Sequence, residues 1–423
     1  MSDLQRSFAR AHLQKLPPAP LVLDEREEER YADVEEDEEG EDDDELTDFP
    51  ELPSPSKYDS SSSTSSTGTI VPTPSQNLFE KPSIAATKTR NSPLPWQDYY
   101  THELFFARTV GNLQLQHHIY LTPPTNASSP LFVTHHGAGS SGLSFAAFTK
   151  AIQKAIPNVG VLSLDARGHG QTTVRHQHGS PTSLDLSLTT LALDLAFVVH
   201  ATQQKLQWPK LPPIVLLGHS LGGAVVTELA YTKLLGGAVL GYGVLDVVEG
   251  SAIDALKSME QYLMTRPRSF LSLTSAIEWH TRSRTIRDPT SARISVPSLL
   301  EQLSPNAPYT WITDLSATKP FWENWFIGLS RKFLAVPAAG KLLILAGTDR
   351  LDKELMIGQM QGRYQLQVFP EAGHFVHEDL PEKTAVVVAD FWRRNDRSAL
   401  VLPPKVDELI KQGKLKAATK TTH

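Results

Sequence analysis

Gly218-His219-Ser220-Leu221-Gly222 lies between the apolar run Ile214-Val215-Leu216-Leu217 and a helical pattern that continues through Ala230. A Gly-x-Ser-x-Gly turn between strand and helix lifts a serine hydroxyl clear of a sheet edge, where it can attack an acyl carbon. Glycine is needed at 218 and 222 because so tight a turn leaves no room for side chains. The helix opening at Leu221 aims its positive end at the same spot. A serine hydroxyl is a weak nucleophile near neutral pH and needs a general base. His374 suits that role. It follows Gly373 in the loop after the run 364–369, and His377 is its competitor.

Two carboxylates fit the third role, that of orienting the base. Asp349, in Leu345-Ala346-Gly347-Thr348-Asp349, precedes His374 by 25 residues; Asp246 ends the run 238–245, 26 residues after Ser220. Position alone favours Asp349. The oxyanion of acyl transfer needs N–H donors. Leu221 N–H supplies one. The loop Thr134-His135-His136-Gly137-Ala138-Gly139 supplies the other, from Ala138, with Gly139 as the alternative. Asp165-Ala166-Arg167-Gly168-His169-Gly170 reads as structural turn chemistry. The chain has no cysteine, which excludes a thiol nucleophile, a disulfide scaffold and thiolate zinc sites. His117, His118, His176 and His178 lack ligand spacing on an evident helix and read as surface or satisfied side chains. No metal and no cofactor are expected.

The elements that must position these residues alternate. Strands are expected at 112–121, 130–135, 160–164, 213–217, 238–245, 342–346 and 364–369, and helices at 142–155, 185–204, 221–233 and 382–395. Several of the strands are short and apolar throughout, which suits burial on both faces. Strand–helix–strand repetition implies a mostly parallel sheet with right-handed crossovers, helices on both faces and an α/β fold. The stretch 247–340 is too long for one crossover and must hold an insertion, expected to be helical and to lie over one edge of the sheet.

The 423 residues carry a net charge of -7, but that figure is uneven. Residues 24–51 hold 18 acidic and 2 basic side chains, so they contribute -16 and the remaining 395 residues +9. Such a run repels itself and buries little, so 1–92 is expected to be a disordered N-terminal region that also holds a Ser/Thr/Pro linker at 54–75. Residues 1–16 have the spacing of a short basic amphipathic helix, but Asp3 and the acidic continuation argue against a presequence. The tail 401–423 has five lysines and little apolar content and is expected to be flexible. The body 93–400 sums to +2, nearly neutral, as suits a site for an uncharged ester. No stretch approaches 18 consecutive apolar residues, so no transmembrane helix is expected. Neither membrane nor nucleic acid is expected as a partner.

Beyond the serine turn, several segments carry a specific resemblance. They are Leu245-Asp246-Val247-Val248-Glu249-Gly250 with the ALKSM that follows, Ala276-Ile277-Glu278-Trp279, Tyr309-Thr310-Trp311, the stretch from Trp322 to Ser330, LAGTDRLDKELMIGQMQG at 345–362, Pro95-Trp96 and GHFVHED at 373–379. Over roughly 93–395 the chain resembles the protein phosphatase methylesterases, serine hydrolases of the α/β-hydrolase fold. The resemblance implies a catalytic domain at 93–400, with a mainly helical cap (247–340) inserted after strand 6 of that fold. It implies hydrolysis of the methyl ester on the C-terminal leucine of the type 2A Ser/Thr phosphatase catalytic subunit, which is both substrate and partner. It also implies that the acid is Asp246, against the positional preference for Asp349. It implies that phosphatase binding organises the active site, so that the triad of the isolated protein is incompletely formed. Trp279, Trp311, Trp322 and Trp325 are then either a partner surface or the insertion's own core. Absence of a signal peptide points to the cytoplasm, and the resemblance adds the nucleus. Two rival readings stand beside this one: a general esterase or lipase of the same fold, and a phosphatase-holding protein in which catalysis is secondary.

Overall fold

The computed structural model describes residues 91–176, 184–347 and 351–396. The acidic run, the Ser/Thr/Pro linker, the C-terminal tail, His178 and Asp349 lie outside them. β1 (His102–Val110) and β2 (Leu113–Thr122) form an antiparallel hairpin closed at Gly111-Asn112. Next come β3 (Leu131–His135), α1 (Ala146–Ala155), β4 (Gly160–Leu164) and the short β5 (Thr173–His176). They are followed by α2 (Leu188–Lys205), β6 (Ile214–His219), α3 (Leu221–Thr232) and β7 (Val239–Leu245). After the insertion the chain completes β11 (Gly340–Leu345), α9 (Lys353–Met360), β12 (Gln365–Val368), α10 (Val376–Asp379) and α11 (Pro381–Asn395).

Among the described residues the sheet runs in the order β1-β2-β4-β3-β6-β7-β11-β12, with β5 branching onto β2. From β4 onward each neighbouring pair is parallel. Burial on both faces is visible residue by residue. Leu131 and Val133 of β3, Ile214 and Leu216 of β6, and Leu343 and Leu345 of β11 join a core with α2 and α3. Phe132, Val215, Leu217, Leu342 and Ile344, one step out of phase, join a second core with α1 and α11. That is the period-2 geometry of a strand covered twice.

β1 and β5 have no counterpart among the expected strands. β1 reads His-Glu-Leu-Phe-Phe-Ala-Arg-Thr-Val, and Phe105 is 45% exposed. An edge strand is held by its partner's hydrogen bonds, so its sequence need not be apolar throughout.

The insertion is mainly helical, and three further features stand out. Counted along this chain it follows the seventh strand, because the short β5 adds one to the count. It holds α4 (Glu249–Thr265), α5 (Leu273–Arg282), α6 (Pro289–Ser295), α7 (Trp322–Phe326) and α8 (Leu329–Ala335), but also a three-stranded antiparallel sheet. That sheet is β8 (Ser269–Phe270), β10 (Tyr309–Trp311) and β9 (Leu300–Gln302), with β10 central. Nor does the insertion stand wholly apart from the domain. Phe270, Ala276, Ile277, Ile286 and Val296 form a local core, whereas Trp322, Trp325, Phe326 and Phe333 are buried in the main core. Gly340, the last residue assigned to the insertion, begins β11. Among the described residues no helix is long and apolar enough to cross a membrane.

One buried ionic cluster fastens α2 to the sheet. Asp194 accepts Arg167 Nε at 2.5 Å and Arg167 Nη2 at 2.8 Å, and pairs with Arg108 of β1. Removing one partner of such a cluster leaves buried charge without compensation. Asp194→Ala is expected to lower stability by about 3–5 kcal/mol, measured as a shift in the urea unfolding midpoint; a change within experimental error would show that the two arginines find water instead.

Candidate active site

Ser220 follows β6 and stands at the N-terminal cap position of α3 with φ 52° and ψ -119°. An L-residue in that region stores about 1–3 kcal/mol of strain. The strain persists because the turn is enclosed. A Cβ on Gly218 would lie 2.0 Å from Gly222 O, and one on Gly222 would lie 2.1 Å from His135 O. Ser220 N–H donates to Leu245 O at 3.1 Å, and Ser220 O accepts Gly223 N–H at 2.8 Å. The hydroxyl does not cap the helix; it lines a cavity instead.

Leu245 is the last residue of β7, and Asp246 follows it with φ 49°. Asp246 N–H donates to Ile344 O at 2.8 Å, and Asp246 Oδ1 accepts Ala346 N–H at 2.8 Å. Its other oxygen, Oδ2, lies 2.8 Å from His374 Nδ1. A carboxylate accepts, so Nδ1 carries the proton and Nε2 holds the lone pair of a base. The structure thus joins His374 to Asp246, and Asp349 lies outside the described residues. His374's other hydrogen bond is made by its carbonyl oxygen. Among the described residues none joins its Nε2 to Ser220 Oγ, although both residues line the same cavity.

His377 is not placed as a base. It is fully buried, stacks on Phe145 with ring centroids 4.3 Å apart, and neither ring nitrogen has a partner among the described residues. Burial lowers its pKa to about 3, so it serves as a neutral aromatic wedge. His219, the unspecified residue of the serine turn, has a role that its spacing did not reveal. Its Nε2 donates to His374 O at 2.9 Å, and its ring lies 4.6 Å from those of both His374 and His377. The residue beside the nucleophile therefore holds the backbone of the base. The only sequence signal is an aromatic at that position.

Leu221 N–H opens α3, so it has no acceptor within its own helix. Of the two candidates in the 134–139 loop, Gly139 N–H is already engaged, donating to His169 Nε2 at 2.9 Å. Ala138 lines the cavity with Ser220 and Leu221. The loop itself is braced by the 165–170 segment. His136 Nδ1 donates to Gly137 O at 2.7 Å while its Nε2 accepts Ala166 N–H at 3.0 Å. Asp165 accepts Gly142 N–H at 2.7 Å and Gln171 N–H at 2.9 Å. Structural turn chemistry describes this segment, and what it supports is the oxyanion loop.

His117 and His118, expected at the surface or satisfied, are both buried. His118 is held between Asp165 (2.7 Å) and Glu103 (2.9 Å). Burial lowers its pKa, but the two carboxylates outweigh burial and the net shift is upward. His117 has no hydrogen bond on either ring nitrogen among the described residues, and its Nε2 lies 3.9 Å from Asp194 Oδ1. His176 lies on β5. No group of three or more ligand-type side chains among the described residues could hold a metal ion. The tryptophans of the insertion are not a free surface: Trp322 and Trp325 are buried, and Trp279 and Trp311 are half-buried against Phe270. The cavity has a volume of about 340 Å³, and beyond the serine its wall is largely apolar, formed by Leu256, Met259, Leu299, Leu315, Trp322 and Phe326.

The alpha/beta hydrolase family model matches residues 131–387. The protein phosphatase methylesterase 1 of Aspergillus fumigatus is 56% identical over 97% of this chain and 93% of its own length. That of Aspergillus oryzae is 55% identical over 98% of this chain and 96% of its own. Among solved structures, E-2-(acetamidomethylene)succinate hydrolase matches 69% of this chain and 100% of its own at a TM-score of 0.53 and 18% identity, a likeness of fold.

The buried histidines set an acid limit. Burial lowers His117, His135 and His280 to about 4 and His377 to about 3. Below about pH 6.5 the unfolded chain protonates these groups and the folded chain does not. Their stability is therefore present above pH 6.5 and lost as pH falls toward 4, at up to about 1.4 kcal/mol per pH unit for each histidine. Urea midpoints measured at pH 7.5, 6 and 5 are expected to fall steeply over that window. A flat profile would mean that these imidazoles are charged in the folded state.

Proposed function

This chain belongs to the protein phosphatase methylesterases of the alpha/beta hydrolase family, and on that premise we propose that it hydrolyses the methyl ester on the C-terminal leucine of a type 2A Ser/Thr phosphatase catalytic subunit. The observation that carries the mechanism is the meeting at one cavity of a strained, uncapped serine and a histidine whose Nδ1 faces a buried aspartate. His374 Nε2 takes the Ser220 hydroxyl proton as Oγ attacks the ester carbon. Asp246 keeps the imidazole in the Nδ1–H tautomer and stabilises the imidazolium. Leu221 and Ala138 N–H groups hold the oxyanion, each such donor being worth about 2.7–4 kcal/mol in the barrier. Collapse expels methoxide, which His374 protonates to methanol. Water, deprotonated by His374, then attacks the acyl-enzyme; the leucine carboxylate leaves and Ser220 regains its proton.

The apolar wall formed by Leu256, Met259, Leu315 and Phe326 suits a leucine side chain. The serine turn and His374 share the cavity without a hydrogen bond between Oγ and Nε2. In this reading the docked phosphatase draws them together, because hydrogen bonds between catalytic groups are often long before the substrate complex forms.

Demethylation of a methylated phosphatase subunit by Ser220→Ala, Asp246→Asn and Asp349→Asn proteins tests the assignment. The first two are expected to lose on the order of 10⁴-fold in rate; the third is expected to stay within a few-fold. Ser220→Ala is expected to keep binding the phosphatase. Loss of turnover from Asp349→Asn alone would overturn the acid. Undiminished demethylation by Ser220→Ala would overturn the mechanism, and hydrolysis of short acyl esters without any of the methylated phosphatase would overturn the substrate.

A further inference from the structure

Arg266 follows the last residue of α4, inside the insertion. Its guanidinium carbon lies 3.3 Å from the centroid of the Trp311 ring. Trp311 is itself fixed: its Nε1 donates to Pro267 O at 2.7 Å, and it ends β10, the central strand of the insertion's sheet. Among the described residues no carboxylate and no hydrogen-bond acceptor meets the Arg266 guanidinium. Stacking on an indole face uses the flat face of the guanidinium and leaves its in-plane N–H edges open. Those edges form the fork that matches a carboxylate.

The setting makes the vacancy of partners meaningful. Arg266 and Arg284 both line the cavity that holds Ser220 and His374. The carboxyl in that lining is Glu378, which burial holds protonated well above the usual carboxyl range. The wall is therefore net positive although the domain as a whole is nearly neutral. Burial lowers the Arg266 pKa to about 10, so it is charged at neutral pH. A guanidinium in so apolar a wall, with no acid beside it, is unfavourable until a carboxylate arrives. The methyl ester is uncharged and gives this cation nothing to hold.

We propose that Arg266, stacked on Trp311, forms a carboxylate-binding subsite of the active-site cavity. The ligand is either an acidic side chain near the esterified end of the substrate or the carboxylate that hydrolysis creates. The first would select acidic tails; the second would retain product. The assignment rests on the peptide-ester reading above for its biological meaning, but the binding chemistry can be measured apart from it.

The test uses hexapeptides ending in leucine methyl ester that differ only by Asp or Asn at one position before the leucine. It also uses the corresponding free acids and C-terminal amides. Wild-type, Arg266→Gln and Arg266→Lys proteins are compared, with melting temperature as the check on folding. If an acidic side chain is the ligand, the wild type is expected to favour the Asp peptide in kcat/KM by about tenfold or more at one position. That ratio is expected to collapse toward one in Arg266→Gln and to recover in part in Arg266→Lys. If product is the ligand, the free acid is expected to inhibit the wild type more strongly than the amide by a similar factor, and Arg266→Gln to lose that difference. Each ratio is taken within one protein, so partial loss of folded material cancels. Calorimetry with Ser220→Ala measures the same preferences without turnover. Peptides that bind with these preferences but are not hydrolysed would leave the subsite standing, since closure of the triad awaits the docked phosphatase; failure to demethylate the whole methylated phosphatase subunit is what would overturn the ester reading. A wild type with neither preference, or an Arg266→Gln protein that keeps the wild-type preference, would overturn the subsite.

Discussion

One backbone hydrogen bond places the nucleophile against its acid. Ser220 N–H reaches Leu245 O across the junction of two adjacent parallel strands. The register there pairs His219 with Leu245, and Leu245 in turn with Ile344 on β11. Because the strands run parallel, their carboxyl ends fall at one edge, and the residues just past those ends are neighbours in space. Ser220 leaves β6, Asp246 leaves β7 and Ala346 leaves β11, all at that edge, where Asp246 accepts from Ala346. A slip of one residue would turn every side chain to the opposite face. Close packing resists it: Val215 and Leu217 are fitted into one core and Ile214 and Leu216 into the other, and a slip would exchange them.

Histidines do much of the remaining positioning, as neutral rings. His136 and His169 each use one nitrogen as donor and the other as acceptor, and so tie the oxyanion loop to the segment after β4. His219 ties the serine turn to the His374 backbone. A lysine or arginine offers only donors and could not span the pairs that His136 and His169 join. Burial lowers the pKa values of all three, which keeps an acceptor nitrogen available near neutral pH.

What was legible in the sequence follows from how local the signal was. The strands around Ser220 announced themselves because burial on both faces demands an unbroken apolar run. The serine turn was legible because glycine at 218 and 222 is a steric requirement visible at short range. β1 and β5 were not, since an edge strand is specified by its neighbour. Asp246 and Asp349 both fall just past apolar runs; position favours Asp349, and only the resemblance reverses that preference. The contact that now joins Asp246 to His374 spans 128 residues. His219 and Arg266 were missed for the same reason. The function of each depends on a residue far away in the chain, the His374 carbonyl in one case and Trp311 in the other.

Ser220 and Asp246 share the positive-φ backbone that side chains other than glycine seldom adopt. Each carries a local cost of about 1–3 kcal/mol that the surrounding fold must absorb. Glycine would carry almost none of it. Asp246 offsets its cost by accepting from Ala346 and His374, but at Ser220, whose hydroxyl does not cap the helix, the most stable sequence is not the working one. A laboratory selection that rewarded heat resistance alone would drift toward glycine there and enrich for well-folded but inert molecules. A survey of variants ranked by melting temperature would place the catalytic protein below its own disabled derivatives.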